Sequence, residues 1–183
     1  MRAMIYGAGA LGTVLGAYIA KAGVEIDLVN RNKAHVAALR EKGAHITGTV
    51  DFVQPVHALL PEEMTGKYDV ILLMTKQSDN ARVVTMLEGY LAEDGVICTC
   101  QNGLPEPAIA EIVGAQRTLG CAIAWGATFH GEGVSELTSD PSALTFSLGA
   151  IAQPVNHLED VKQLLECMGT VVVEDNFMGA RWS

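Results

Sequence analysis

Short apolar runs alternate with longer stretches of helical periodicity through most of the chain. The runs predict strands at residues 1–6, 24–29, 68–74, 95–100, 118–124 and 170–174. The periodic stretches predict a helix that ends at residue 22 and further helices at 33–42, 79–91, 104–113 and 153–168. The run at 68–74 is apolar at nearly every position, which is typical of a parallel strand covered on both faces.

The pattern changes in three regions. Residues 44–53 predict two short strands around Gly48, and residues 57–67 form a polar, proline-containing connection. Past residue 127, the stretches 134–138 and 143–148 predict antiparallel strands. We therefore predict the α/β class: a Rossmann-type doubly wound, mostly parallel sheet with a short antiparallel extension near the C-terminal end.

All of these elements fall within residues 1–174, which we expect to form one cofactor-binding domain. Asp175 or Asn176 can cap a helix that has barely begun at Ser183. A helix of two turns is marginal alone because helix nucleation is costly. We therefore expect residues 175–183 to start a linker helix to a further, helical domain.

The first predicted strand leads directly into a glycine-rich turn, Gly7-Ala8-Gly9-Ala10-Leu11-Gly12, which opens the first helix. In this pattern Gly7 allows a sharp turn, Gly9 lets a pyrophosphate approach the main chain, and Gly12 lets the helix pack on the sheet. A second strand follows after Gly23, so the turn lies in the βαβ unit that dinucleotide binding requires. A structural turn without a ligand is the alternative.

The end of the second predicted strand decides which dinucleotide is expected. An acidic residue at this position binds a ribose 2′-hydroxyl, whereas an arginine accommodates a 2′-phosphate. Arg31 occupies it, between Asn30 and Asn32, and its planar fork suits phosphate. The sequence favours NADP (as NADPH) over NAD, although Asp27 lies within the strand and a solvated loop arginine is the alternative for Arg31.

Polar residues follow two further predicted strands. Lys76 comes directly after residues 68–74, and Asn102 lies in Gln101-Asn102-Gly103 after residues 95–100. Ligands of open α/β sheets bind outside the carboxyl ends of the strands, so both residues are candidates for contact with cofactor or substrate. A surface lysine and an ordinary turn are the alternatives.

Composition narrows the possible partners and the compartment. The net charge of −9 and the absence of a basic run argue against nucleic acid. No apolar stretch reaches the ~18 residues of a membrane span, and no secretory signal is visible. We interpret the four cysteines as reduced thiols, consistent with a cytoplasmic protein.

We predict no metal site. The cysteines contain no Cys-x-x-Cys pair, and we expect Cys98 and Cys100 to point to opposite faces of their strand. The five histidines are scattered without metal-ligand spacing, and we interpret all of them as surface residues or as histidines with satisfied hydrogen bonds.

With these motifs in order, the chain resembles the N-terminal half of the ketopantoate reductase (2-dehydropantoate 2-reductase) family. The resemblance rests on the glycine turn, Arg31, Thr75-Lys76-Gln77 and Gln101-Asn102-Gly103, with support from Trp125-Gly126-Ala127 and Ala180-Arg181-Trp182. It implies NADPH-dependent reduction of 2-dehydropantoate, a 2-oxo acid, to pantoate on the route to coenzyme A.

The resemblance also implies roles for individual residues. The glycine turn holds the pyrophosphate, Arg31 holds the 2′-phosphate, Lys76 and Asn102 lie beside the cofactor, and Asn102 also reaches the substrate. The backbone of Ala127 contacts the nicotinamide side. The family's general acid is a lysine two positions after a tryptophan, which here falls just after Ser183, so we expect no catalytic residue within this chain and no turnover by it alone.

Three alternatives stay open at this stage. The substrate is another 2-oxo acid or carbonyl compound, the chain is a non-catalytic NADP-binding module, or it is an α/β domain that binds no nucleotide. A homodimer, formed through the surface that a second domain would cover, is also a candidate.

Overall fold

The apolar runs form the strands of a central sheet. The computed structural model describes residues 1–175. Within them the strands are β1 (Ala3–Tyr6), β2 (Asp27–Val29), β3 (Ala44–Gly48), β4 (Phe52–Gln54), β5 (His57–Leu59), β6 (Tyr68–Leu73), β7 (Leu91–Thr99), β8 (Thr118–Ile123), β9 (Ala127–Phe129), β10 (Val134–Leu137), β11 (Thr145–Ala150) and β12 (Thr170–Val173). The helices are α1 (Ala10–Lys21), α2 (Lys33–Lys42), α3 (Asn80–Glu88), α4 (Glu106–Val113) and α5 (Leu158–Glu166).

The main sheet has eight strands in the order β12-β11-β8-β7-β6-β1-β2-β5 among the described residues. From β8 to β5 every neighbouring pair is parallel. β11 is antiparallel to β8, and β12 runs parallel to β11. The predicted fold class is confirmed, including the antiparallel extension at the C-terminal end.

Both faces of the parallel strands are buried. In β6, Leu72 belongs to the apolar core shared with α1, α2 and α5, whereas its neighbour Ile71 belongs to the core shared with α3 and α4. Both side chains are fully buried. Helices on two faces of a parallel sheet therefore explain why residues 68–74 are apolar at nearly every position.

A second, four-stranded sheet has the order β4-β3-β10-β9 and packs beside α1. β10 pairs parallel with β3 and antiparallel with β9, so the predicted strand at 134–138 lies outside the main sheet. The hydroxyl of Ser135 in β10 donates to the carbonyl of Ala10 at 2.7 Å. The second sheet is thereby attached to the first residue of α1.

Several predicted boundaries were wrong. β5 and β9 were not predicted, because each is only three residues long and shows no periodicity. β7 already starts at Leu91, although the sequence predicted a helix up to residue 91 and a strand only from residue 95. α5 starts at Leu158 instead of residue 153, because His157 has a left-handed backbone with φ of 59°.

The expectation that Cys98 and Cys100 face opposite sides was also wrong. Both belong to the same apolar core, and their side chains are hydrogen-bonded to each other. Side chains alternate along a strand, so residues two apart share a face. This contact with Cys100 and complete burial raise the pKa of the Cys98 thiol well above its usual value.

None of the helices in the described part of the chain has the length and apolar character to span a bilayer.

Candidate functional site

A crevice opens where the order of the main sheet reverses direction. The chain passes from β1 through α1 to β2 on one side and later returns as β6 on the other side of β1. Ligands of open α/β sheets bind at the carboxyl ends of the strands beside such a switch point. A cavity of about 470 Å³ lies there, lined by the ends of β1, β2 and β6 and by the start of α3.

Gly7 forms the sharp turn at the end of β1. Its φ is 97°, a conformation that strongly favours glycine. The backbone N–H groups of Gly7 and Ala8 both donate to the carbonyl of Val29 at 2.9 Å, which attaches the turn to the end of β2. A Cβ on Gly7 would lie 2.8 Å from the backbone nitrogen of Thr75, so the turn also packs closely against the segment after β6.

The other two glycines of the turn differ in their surroundings. A Cβ on Gly12 would lie 2.9 Å from the carbonyl oxygen of Gly7, so this glycine allows close packing. A Cβ on Gly9 would meet no atom of the described residues within 4 Å, and Gly9 lines the cavity. The main chain at Gly9 is therefore open to a ligand.

The N-terminus of α1 lies beside this opening. Gly9 is the N-cap, and no side chain in the described residues accepts a hydrogen bond from the first turn. The N–H groups of Ala10, Leu11 and Gly12 precede the first intrahelical donor, Thr13, which bonds to Gly9. Uncapped N–H groups and the positive end of the helix dipole together favour an anion.

A buried histidine holds the glycine turn from behind. The Nδ1 of His35 accepts from the N–H of Gly133 at 2.9 Å, which places the proton on Nε2. Nε2 then donates to the carbonyl of Ala8 at 2.9 Å, and the hydroxyl of Thr13 donates to the same carbonyl at 3.0 Å. His35 thus connects the turn, α2 and the second sheet.

The surroundings of His35 favour its neutral form. Burial lowers the pKa of His35 below its usual 6.5, while the hydrogen bond to Ala8 and the charge of Glu132 oppose that change. Protonation would also put a hydrogen on Nδ1, where the N–H of Gly133 already donates.

The loop after β2 is fixed by its asparagines. Asn30 Oδ1 accepts from the N–H of Asn32 at 2.8 Å, and Asn32 Oδ1 accepts from the N–H of His35 at 3.1 Å as the N-cap of α2. Between them, Arg31 lines the cavity and is exposed. It forms no hydrogen bond or ion pair within residues 1–175, so its guanidinium is available to a ligand.

Asp27, the acidic residue that complicated the choice of dinucleotide, lies at the opposite end of the sheet. It starts β2, where the carboxylate bonds to His57 Nδ1 at 2.6 Å and to the hydroxyl of Tyr68 at 2.5 Å. Arg2 lies 3.8 Å from the same carboxylate. Asp27 is therefore engaged at the amino end of β2 and does not line the crevice.

A second cavity of about 500 Å³ adjoins the first, and both are lined by Met74, Thr75 and Lys76. Asn102 after β7 and Ala127 at the start of β9 line the second cavity. Lys76 forms no hydrogen bond or ion pair with a described residue. The two cavities form an elongated crevice along the carboxyl ends of β2, β1, β6, β7 and β8.

Gln101, for which the sequence allows an ordinary turn, organises the floor of the crevice. Its side chain is buried. Nε2 donates to the carbonyl of Thr75 at 2.7 Å and to Asn80 Oδ1 at 2.8 Å, while Oε1 accepts from the hydroxyl of Thr99 at 2.9 Å. Gln101 therefore joins the end of β7, the segment after β6 and the start of α3.

The family model described as ketopantoate reductase PanE/ApbA matches residues 3–150. The match includes the glycine turn, Arg31, Lys76, Asn102 and Ala127. The chain belongs to the ketopantoate reductase PanE/ApbA family.

Relatives in this ketopantoate reductase family include the 2-dehydropantoate 2-reductase of Pyrococcus abyssi, which is 33% identical over 141 residues covering 75% of this chain and 45% of that protein. The enzyme of that name from Pyrococcus horikoshii is 27% identical over 187 residues, covering 100% of this chain and 59% of the relative. The chain therefore spans about half the length of the curated relatives that it matches.

Solved structures of a ketopantoate reductase and of a dehydrogenase have the same fold as this chain. The 2-dehydropantoate 2-reductase of Geobacter metallireducens superposes with a TM-score of 0.87 at 26% identity, covering 100% of this chain and 60% of that one. A ternary structure of D-mandelate dehydrogenase with NADH and anilino(oxo)acetate has a TM-score of 0.85 at 21% identity, with coverage of 100% and 59%.

One part of the ketopantoate reductase resemblance, Ala180-Arg181-Trp182, lies outside the described residues. The same holds for the predicted linker helix at 175–183, of which only Asp175 is described.

Four of the five histidines of this ketopantoate reductase family member are satisfied, as predicted, whereas the buried Nε2 of His157 has no hydrogen-bond partner among residues 1–175. His35 forms the bonds given above, and each of the others pairs with a carboxylate: His45–Asp51, His57–Asp27, His130–Glu136 and His157–Asp160.

The structure also brings together ligand atoms of Asp69, Asp94 and His157 within 4.8 Å of one another, which the sequence spacing did not indicate. His157 uses Nδ1 for Asp160, and its Nε2 lies 3.5 Å from Asp94. We assign no metal to this group, because Asp94 is exposed and Asp69 already accepts from the N–H of Arg2 at 2.8 Å.

Proposed function

We propose that residues 1–174 form a domain that binds NADPH along this crevice, and that the protein containing it reduces 2-dehydropantoate to pantoate. The observation that carries the proposal is the combination, around one cavity, of an open main chain at Gly9, a helix N-terminus that no side chain of residues 1–175 caps, and an Arg31 that none of these residues pairs. Each feature suits a different part of a phosphorylated dinucleotide.

The diphosphate belongs at the first turn of α1. The N–H groups of Ala10, Leu11 and Gly12 supply donors there, and Gly9 leaves room for phosphate oxygens close to the main chain. His35 fixes the carbonyl of Ala8 from the buried side, so these donors are arranged before a ligand arrives.

Arg31 selects the phosphorylated ribose. The asparagines on either side use their side chains to hold the loop, so the guanidinium is presented from a fixed backbone. The fork of an arginine donates two parallel hydrogen bonds to a phosphate. Asp27, the acidic residue of the same strand, is bound at the other end of the sheet and does not offer a carboxylate to a ribose hydroxyl in the crevice.

The second cavity suits the nicotinamide and the substrate. When bound, NADPH supplies the hydride for reduction of the ketone. Lys76 offers a positive charge to the substrate carboxylate, Asn102 offers an amide to its oxo group, and Ala127 borders the cavity with backbone groups. We assign no proton donor among residues 1–175, and we propose that this role belongs to the family's lysine two positions after Trp182.

The substrate assignment is supported by the relatives' names. The relatives from Pyrococcus abyssi and Pyrococcus horikoshii are 2-dehydropantoate 2-reductases. D-Mandelate dehydrogenase, which shares the fold, binds NADH and anilino(oxo)acetate, a 2-oxo acid. Reduction of another 2-oxo acid is the second candidate, and the fold shared with D-mandelate dehydrogenase is the observation that favours it.

Isothermal titration calorimetry of the 183-residue chain with NADPH and with NADH tests the proposal. We expect NADPH to bind more tightly than NADH and Arg31→Ala to remove most of that difference, about 10-fold or more in affinity. Lys33→Ala is the matched control. It also removes a positive charge, two positions after Arg31, but the side chain of Lys33 does not line the cavity. Equal affinities for both nucleotides in the unmodified chain would contradict the proposal.

A second measurement concerns turnover. We expect the 183-residue chain to oxidise no NADPH when 2-dehydropantoate is added, because reduction also needs a proton donor. A protein in which these residues are joined to a helical domain that supplies the family's lysine is expected to oxidise NADPH. Saturable NADPH oxidation by the short chain would show that the proton donor lies within it.

A further inference from the structure

A second arginine, Arg82, borders the same cavity as Arg31. Arg31 lies in the loop after β2, whereas Arg82 lies in the first turn of α3. Both guanidinium charges act on Tyr6, which also lines the cavity: burial raises the pKa of Tyr6, and the two arginines oppose that rise. The two cations therefore face one region of the crevice.

The position of Arg82 is set by its neighbours in α3. Val83 is buried and lines the same cavity, so this turn of the helix faces the crevice. Asn80 is fixed by its paired amide bonds to Gln101. The side chain of Arg82 starts from this fixed turn and is 60% exposed, which leaves its guanidinium accessible to a ligand.

The charge lining the cavity is opposite to that of the whole chain. Among the residues that the structure describes, Arg31, Lys76 and Arg82 line it together with a single carboxylate, Asp79, in a protein with a net charge of −9. Asp79 lies 3.1 Å from Arg82. Ion pairs between exposed side chains are weak, so Arg82 can exchange this partner for a phosphate at small cost.

We propose that Arg82 is a second specificity-determining residue for the 2′-phosphate and acts together with Arg31. A phosphate monoester carries about −1.5 to −2 charges at neutral pH and has three acceptor oxygens. Two guanidinium groups, one from the loop after β2 and one from α3, can bond to more of these oxygens than one guanidinium group can. This inference rests on the proposed function, and it assigns recognition of the phosphate to α3 as well as to the loop after β2.

The test compares two nucleotides that differ only in the 2′-phosphate, adenosine 2′,5′-bisphosphate and adenosine 5′-monophosphate. Both are titrated by calorimetry into the 183-residue chain and its variants. Arg82→Ala should weaken binding of the bisphosphate about 10-fold and change that of the monophosphate by less than about twofold. Arg82→Lys should recover part of the loss, because it keeps the charge without the fork.

Lys42→Ala, which removes a positive charge at the far end of α2, controls for the net charge of the protein and should leave both affinities unchanged. Equal losses for the two nucleotides in Arg82→Ala, or no loss for either, would overturn the inference. A third result would also overturn it: Asp79→Asn loses monophosphate binding while Arg82→Ala keeps bisphosphate binding. The carboxylate of Asp79 would then bind the ribose hydroxyl, and Arg82 would not bind the phosphate.

Failure of the proposed function has a different signature. If the unmodified chain does not prefer the bisphosphate to the monophosphate, both the proposed function and this inference fail. If it does, and Arg31→Ala removes the preference while Arg82→Ala keeps it, only this inference fails.

Discussion

Asn80 and Gln101 pair through both of their side-chain amides. Asn80 Nδ2 donates to Gln101 Oε1 at 2.9 Å, and Gln101 Nε2 donates to Asn80 Oδ1 at 2.8 Å. Gln101 is buried at the end of β7, and Asn80 is the first residue of α3. This pair fixes the start of the helix that carries Arg82 against the strand ends that line the crevice.

Loss of this amide pair should reduce stability. Gln101→Leu keeps most of the volume but leaves Asn80 and the carbonyl of Thr75 without their buried partner. An unsatisfied buried polar group costs about 1–3 kcal/mol, so we expect the free energy of unfolding to fall by that amount in urea denaturation. Gln163→Ala, which removes an exposed amide from α5, is the control and should change stability by less than about 0.5 kcal/mol.

A double-mutant cycle with Asn80→Ala separates the pair from the other bonds of Gln101. We expect a coupling free energy of about 0.5–3 kcal/mol, the range of residues that share a hydrogen-bond network. Additive effects of the two substitutions would show that the amides do not support each other.

The glycines of the turn should separate folding from binding. Gly7→Ala should destabilise the fold by about 1–3 kcal/mol, because φ is 97° and the new Cβ would lie 2.8 Å from Thr75. A bulkier change, Gly9→Val, adds a side chain where no atom of residues 1–175 lies within 4 Å, so it should weaken NADPH binding more than it affects the melting temperature without nucleotide. Unchanged NADPH affinity in Gly9→Val would show that the nucleotide does not approach this main chain.

Asp27 should matter for stability and not for the choice of nucleotide. Its carboxylate bonds to His57 and to Tyr68, and burial together with this hydrogen bond raises the pKa of Tyr68. We expect Asp27→Asn to lower the free energy of unfolding by about 1–3 kcal/mol and to leave the ratio of NADPH to NADH affinities as it is. A changed ratio would place this residue at the ribose.

His35 should make the stability of the glycine turn depend on pH. Because burial lowers the pKa of His35 below 6.5 in the folded protein, the unfolded chain binds a proton more readily. The contribution of His35 is therefore fully present above about pH 6.5 and is lost as the pH falls toward the folded pKa, by at most about 1.4 kcal/mol for each pH unit.

Urea denaturation of the unmodified chain and of His35→Gln, from about pH 5 to pH 7.5, measures this term. Glutamine can donate to Ala8 and accept from Gly133 without titrating, and the contributions of the other histidines cancel in the difference. The difference should change with pH below about 6.5 and be constant above it. A constant difference over the whole range would contradict the assigned pKa direction.

Much of the site could be predicted from the sequence because its residues follow strands that are easily recognised. The glycine turn, Arg31, Lys76 and Asn102 each lie directly after an apolar run, and parallel strands bring their carboxyl ends to one edge. Short elements were missed for the converse reason: β5 and β9 have three residues each, too few to show a period.

Gln101 and Arg82 were missed because their roles depend on tertiary contacts. Gln101 bonds to residues 21 and 26 positions away, and no local pattern marks such a partner. Arg82 lies on a helix whose apolar positions predict its buried face, but the sequence does not show which end of that helix meets the crevice. The cysteine error was different, since the period of a strand places Cys98 and Cys100 on one face.

A crystal structure of the 183-residue chain with NADPH tests the central claim most directly. We predict diphosphate oxygens within hydrogen-bond distance of the N–H groups at the start of α1, the 2′-phosphate against Arg31, and the nicotinamide beside Lys76, Asn102 and Ala127. A nucleotide bound in the reverse direction, or bound elsewhere with the glycine turn uncontacted, would contradict the account.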